Sequence, residues 1–325
     1  MPEGTVIAAH GRQYLVESAA GAANPADQHA GHETPPVLCY PRGKKSEAVC
    51  GDRVEFALTG LQPGAVQGVI EKILPRRNLF RRSSEFREKL IAANVEQLVL
   101  MVATEPNFND ELLNRGLVAA EAEGVECLIL LNKCDIPERL AVVRQQLANF
   151  AGIGYTIIEI VARDAQHPGI ATLRAHLANK TSILLGQSGM GKSTLINTLY
   201  PAAQARTQEI SGALDSGKHT TTHATLYRIA SAAASPGGSP GHLGGATAAF
   251  SLIDSPGLRE FGLSHLSRAE ISQAFPEFRE LLGCCRFRDC RHDHEPGCAI
   301  RAALQAGKIH PRRFAIHQAM QNINA

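Results

Sequence analysis

The chain has 325 residues, 44% of them hydrophobic, with 33 Lys and Arg against 31 Asp and Glu for a formal net charge of +2. That length suffices for two or three domains with real cores, and the composition excludes global disorder. A charge this close to balance excludes bulk electrostatic attraction to nucleic acid or membrane, so any such binding must come from local clusters.

The opening MPEGTVIAAHGRQYLVE carries no basic segment followed by a long apolar run, and no later stretch approaches the roughly 18 apolar residues of a membrane span. A cytoplasmic protein without membrane partners is expected. Residues 1–94 read as β-rich, because short apolar patches at 5–8, 14–16, 54–58 and 66–73 are separated by Gly, Pro and polar turns, which predicts a small barrel. Residues 19–36, rich in Ala, Gly, His and Pro, read as an expanded loop.

From residue 95 the pattern changes to VEQLVLMVA, an amphipathic helix over 111–123, VECLILL, a helix over 137–150, and YTIIEIV. Alternation of this kind predicts a parallel α/β sheet with helices on its faces. TSILLG, the helix after Gly191 and AAFSLID continue it to residue 262, with 231–246 as an Ala/Gly/Ser/Pro-rich insertion. Residues 263–325 read as a small helical, cysteine-rich domain, of a size at which a structural metal often compensates for a thin core.

Within the middle segment, Gly186, Gln187, Ser188, Gly189, Met190, Gly191, Lys192 and Ser193, followed by Thr194, stand between an apolar strand and a helix. Glycines there let backbone N–H groups curl around phosphates at a helix N-terminus, Lys192 would reach the β- and γ-phosphates, and the Ser193 hydroxyl would ligate Mg²⁺. Asn132, Lys133, Cys134 and Asp135 follow VECLILL at a strand end. The Asp135 carboxylate can accept from guanine N1–H and the exocyclic amino group, which adenine cannot offer, so the nucleotide is expected to be GTP or GDP. Asp254, Ser255, Pro256 and Gly257 follow AAFSLI; Asp254 would hold Mg²⁺ through water and the Gly257 N–H would meet the γ-phosphate. One of Thr220–Thr222 could close over Mg²⁺, and Val161 and Ala162 could touch the base through backbone groups.

Four of the eight cysteines, with several histidines, crowd the last segment, which points to metal rather than disulfides. Cys285, Cys290, His292 and Cys298 offer three thiolates and one imidazole, enough for a closed tetrahedral structural Zn²⁺ site, with Cys284 and His294 as adjacent competitors. Arg76, Arg77, Arg81, Arg82, Arg87 and Lys89 form one basic cluster, and Arg286, Arg288, Arg291, Arg301, Lys308, Arg312 and Arg313 another. Phosphate-backbone contact is the functional reading of both.

In ordinary small GTPases the phosphate loop precedes the base-reading loop; here Asn132–Asp135 precedes Gly186–Ser193, which precedes Asp254. With a barrel in front and a Cys/His cluster behind, the chain resembles the ribosome small subunit-dependent GTPase A family (RsgA, also called YjeQ). The resemblance implies a multidomain α/β protein: an OB-fold β-barrel, a circularly permuted P-loop GTPase domain and a helical zinc-binding domain. It also implies slow GTP hydrolysis stimulated by the small (30S) ribosomal subunit, action in late maturation of that subunit, contact with its rRNA, and zinc held by Cys285, Cys290, His292 and Cys298. A monomer is expected. Leu258 stands where Ras-like enzymes place the glutamine that orients water, and His219 matches the histidine the family is thought to use for that role. Because 258–262 runs straight into the last domain, the nucleotide state is expected to set that domain's orientation.

Overall fold

The computed structural model describes residues 1–19, 35–43, 47–62, 65–84, 87–203, 224–230, 249–255 and 263–323. Most of the loop expected at 19–36 and the insertion at 231–246 lie outside them, as do His219, Thr220–Thr222, Gly257 and the connection at 258–262.

Five N-terminal strands, Glu3–His10 (β1), Gln13–Ser18 (β2), Val37–Pro41 (β3), Arg53–Gln62 (β4) and Ala65–Ile73 (β5), run in the order β1-β2-β3-β5-β4. Pairing of β1 with β4, at Gly4 opposite Val54, closes the ring. β3 and β5 are parallel and the other pairs antiparallel, the five-stranded closure of an OB-type barrel. Val6, Tyr14, Val16, Val37, Cys39, Val54, Phe56 and Ile70 fill its interior. Strand alternation turns Ile7 and Leu15 outward and the bulge after Val6 turns Ala8 with them, where they join a second core shared with the rest of the molecule. A register shift between Val6 and Ala8 bends β1, and Ala8 pairs with Thr225 of the next sheet, so barrel and sheet are one continuous ladder.

A hairpin of Leu79–Ser84 (β6) and Arg87–Ala93 (β7) leads out of the barrel. The parallel strands Gln97–Ala103 (β8), Glu126–Asn132 (β9), Thr156–Glu159 (β10), Thr181–Gly186 (β11) and Phe250–Asp254 (β13), with antiparallel Thr225–Ile229 (β12), are ordered β10-β9-β8-β11-β13-β12. All seven residues of β8 are buried, as expected of a strand covered on both faces. One face carries Leu98, Leu100, Ile129 and Ile183 toward the helices Asp110–Ala122 (α1) and Pro137–Gly152 (α2). The other carries Met101, Leu128, Leu130 and Leu184 toward Pro168–Leu177 (α3) and Lys192–Leu199 (α4).

Beyond residue 263 come Arg268–Gln273 (α5), a 3-10 turn over Pro276–Leu281, Ala299–Gln305 (α6) and Pro311–Ile323 (α7). Ser267 and Glu270 start α5 with a reciprocal capping box. Ile271, Phe275, Phe278, Ile300 and Ile316 are continuous with the core around Leu113 and Leu117 of α1, so this unit packs directly on that helix.

Candidate functional site

Because β8, β9, β10, β11 and β13 are parallel, their C-terminal ends gather along one edge of the sheet, where open α/β folds bind ligands. Gly186 closes β11 beside Met101, and a Cβ there would lie 2.6 Å from the Met101 carbonyl oxygen. The loop turns with Gly189 at φ +82° and Gly191 at φ +101°, conformations that side chains resist. A Cβ on Gly191 would also come within 2.4 Å of Asn132 Nδ2.

Asn132, 2% exposed, joins three loops: its Nδ2 donates to the Met190 carbonyl at 2.8 Å and its Oδ1 accepts from the Ala162 N–H at 2.8 Å. The loop after β10 is fixed further by Cys134 N–H donating to the Ile160 carbonyl (3.2 Å) and Thr198 Oγ1 donating to the Ala162 carbonyl (2.6 Å). Lys133 sits at φ +60°, its Nζ donating to the Glu105 carbonyl at 2.6 Å and its own carbonyl accepting from Thr104 Oγ1 at 2.8 Å. Asp135 lies beyond it, paired with Arg163 at 2.5 Å.

At the other end, Ser188 and Gly189 are exposed, Gly191 caps α4, and Ser193 and Thr194 are exposed in its first turn. Lys192 Nζ donates to the carbonyls of Gly186 (2.5 Å) and Gln187 (3.0 Å), closing over the loop it belongs to. Burial pushes the Asp254 carboxyl up to about 6, against the pull of the nearby Lys192 charge. Burial lowers Lys192, with Asp254 opposing the shift. Gln187 Oε1 accepts from the Asn109 N–H at 2.8 Å, and Asn109 caps α1. This contact and the roles of Thr104, Thr198 and Arg163 carry no sequence signature; only the position of Arg163 after Val161 and Ala162 pointed near the base.

The ligand atoms of Cys285, Cys290, His292 and Cys298 lie within 4.8 Å of one another, and neither Cys284 nor His294 is among them. Cys285 Sγ and Cys298 Sγ are 3.9 Å apart, and His292 Nδ1 is 3.5 Å from the first and 3.4 Å from the second. Tetrahedral zinc with bonds of about 2.3 Å to sulfur and 2.0–2.1 Å to nitrogen requires edges of about 3.8 Å and 3.5 Å, so the donor set fits. Gly297 at φ +73° and His292 at φ +62° make the turns that bring the donors together. Glu295 accepts from the N–H groups of Arg291 (2.8 Å) and Asp293 (2.9 Å), holding the intervening loop.

A cleft of about 740 Å³ opens on this cluster, with Cys285, Cys290 and His292 in its lining together with Arg268, Arg288 and Arg291, and Phe287 at its side is 42% exposed. Four of the predicted basic residues are engaged in ion pairs. Arg76 forks onto the buried carboxylate of Asp52 (2.7 and 2.8 Å), Arg77 pairs with Glu96, Arg312 with Asp110 and Arg313 with Glu277.

The RsgA GTPase family model matches residues 73–264. The chain is 48% identical over 314 residues to the small ribosomal subunit biogenesis GTPase RsgA of Ralstonia nicotianae, covering 97% of this chain and 89% of that protein. It is 48% identical over 315 residues to the protein of the same name from Burkholderia pseudomallei, covering 97% and 90%. YjeQ from Thermotoga maritima superposes with a TM-score of 0.67 at 26% identity, over 99% of this chain and 98% of that one. YloQ, described as a circularly permuted GTPase, superposes at 0.65 with 23% identity, over 100% and 95%, a likeness of fold.

Proposed function

The chain belongs to the RsgA GTPase family, and from that membership we propose how its residues carry the activity. It is an enzyme that hydrolyses GTP to GDP and phosphate in biogenesis of the small ribosomal subunit. The observation that carries the residue assignment is Asn132, which ties the phosphate loop, the base-reading loop and the loop after β10 through one buried amide.

Asp135 accepts from the guanine edge, while Asn132 and Lys133 shape its pocket. The N–H groups over Gly186–Gly191 cradle the phosphates at the N-terminus of α4, and Lys192 leaves its loop carbonyls for the β- and γ-oxygens. Ser193, and Asp254 through water, would hold Mg²⁺, whose charge, when bound, offsets that developing on the transferred phosphoryl group, with Thr194 lining the nucleotide beside them. Gly257 would donate to the γ-phosphate, and His219 would orient the attacking water, since Leu258 has no group for it. The four metal donors would hold one Zn²⁺ as a structural ion, because a complete tetrahedral set leaves no position open for substrate.

The division proposed is 1–94 as an rRNA-binding OB barrel, 95–262 as the GTPase and 263–325 as the zinc domain. Contact with rRNA is supported by the barrel type and by the cleft that sets Arg268, Arg288 and Arg291 around an exposed Phe287, a combination suited to phosphate and an unstacked base. Among the described residues no helix is long and apolar enough to cross a membrane. Among the described residues the large exposed hydrophobics, Met1, Leu58, Val142 and Phe287, stand on separate elements, which fits a monomer, and the family's role in small-subunit biogenesis fits the cytoplasm.

Single-turnover GTP hydrolysis with and without purified small subunits tests this reading. Strong acceleration by the subunit is expected, with His219→Ala keeping its GTP affinity and losing most of the acceleration. Equal rates with and without subunits would instead make the chain a GTP-gated RNA-binding module.

A further inference from the structure

The carboxylate assigned to the guanine edge is already engaged by the chain itself. Arg163 donates from its guanidinium to Asp135 Oδ2 at 2.5 Å, and its side chain is otherwise 77% exposed. Among the described residues it makes no other hydrogen bond. A guanidinium offers a planar set of N–H donors to a carboxylate, and guanine offers N1–H and its amino group to the same acceptor. The two partners therefore compete for one site.

Backbone hydrogen bonds position the two loops that carry this pair. Ala162, the preceding residue, is fixed by its N–H to Asn132 Oδ1 and by its carbonyl to Thr198 Oγ1, and Asp164 N–H closes a turn onto the Val161 carbonyl at 2.9 Å. On the facing loop, Cys134 N–H is bonded to the Ile160 carbonyl, and Lys133 is anchored through Thr104. Both loops are thus tied to the same strand ends, which holds the Arg163 backbone on the loop that faces Asp135.

We propose that Arg163 is an internal competitor for the guanine edge: it occupies Asp135 in the nucleotide-free protein and must be displaced by the base of GTP or GDP. The inference rests on Asp135 as the base reader. Displacement lowers the affinity of both nucleotides by one common factor, because GTP and GDP present the same base. An exposed ion pair is worth little, which sets that factor at about two- to five-fold.

The test is fluorescence titration of the full chain with labelled GDP and a labelled non-hydrolysable GTP analogue. Arg163→Ala should bind both about two- to five-fold more tightly, with Arg163→Lys between it and the native protein. The gain should shrink at high salt, which already weakens the pair. In an Asp135→Asn background, read with xanthosine nucleotides, removing Arg163 should change nothing, since the pair is gone. Unchanged or weaker binding by Arg163→Ala would overturn the proposal, as would a gain that persists in the Asp135→Asn background. Failure of the underlying assignment looks different: Asp135→Asn alone would then keep its GTP affinity and gain none for xanthosine nucleotides.

Discussion

Asp254 carries a charge in a place that disfavours it. It is 8% exposed at the end of β13, and burial raises its carboxyl to about 6, with Lys192 alone drawing it back. An ordinary aspartate titrates near 3.9, so between about pH 4 and 6 the folded state binds this proton more tightly than the unfolded chain does. Stability from this group is therefore present at low pH and lost as pH rises through 6, at a cost of about 2–3 kcal/mol in the nucleotide-free protein at neutral pH. Bound Mg²⁺ would supply the missing counter-charge. Asp254→Asn should accordingly raise the melting temperature of the nucleotide-free protein at pH 7.5, with the difference narrowing as pH falls to 4.5, while hydrolysis is lost. A variant that melts at or below the native temperature at pH 7.5 would show that the site solvates its carboxylate better than its burial implies.

At the scale of elements, what the sequence disclosed depended on whether local pattern and tertiary use agreed. β8, β9 and β11 are continuous apolar runs because both faces are covered, and the loops that follow them carry residues whose chemistry is unmistakable. β3 is only Val37–Pro41, flanked by prolines, and β7 opens on Arg87, Glu88 and Lys89, so neither pattern signals a strand; each exists because a neighbour pairs with it. The metal loop is an intermediate case. Its donors were legible from spacing, but the preference for Cys285 over Cys284 came from family likeness and has its physical reason in the Gly283 and Gly297 turns, both at positive φ. Cys298 also caps α6, its Sγ accepting from the Arg301 N–H at 3.5 Å, so loss of metal should propagate into that helix. Cys290→Ser is expected to lower zinc content from about one per chain toward zero and to expose the amides of α6 and α7 to hydrogen exchange, while GTP binding at the strand ends persists. Full zinc occupancy in that variant, by elemental analysis, would mean the donors are three or differ from these.

At the scale of the whole molecule, the C-terminal unit is held by more than the covalent connection at 258–262. Arg313, 1% exposed, pairs with Glu277, donates to Asn114 of α1 and lies 4.4 Å over the Phe275 ring; Arg312 forks onto Asp110 at the start of α1; and Arg279 reaches Glu121 near its end. The Arg313–Glu277 pair lies within the C-terminal unit, and opening the seam to α1 would strip the buried Arg313 of its Asn114 acceptor and expose the apolar core shared by Leu113, Leu117, Phe275 and Phe278, so the seam does not open easily. α1 and the C-terminal unit are therefore expected to move together. The N-terminus of α1 in turn touches the phosphate loop, where the Asn109 N–H donates to Gln187 Oε1. A change in that loop on γ-phosphate release can reach the C-terminal unit through Gln187, Asn109 and Asp110 without passing through 258–262. The comparison to make is small-subunit affinity with a non-hydrolysable GTP analogue against GDP, both saturating. A flexible insert after Gly262 should leave most of that ratio intact, whereas Gln187→Ala should reduce it toward one without unfolding α1, whose side-chain cap on Asn109 is kept. The reverse pattern, loss with the insert and retention in Gln187→Ala, would place the coupling in the covalent connection and leave α1 as a passive support.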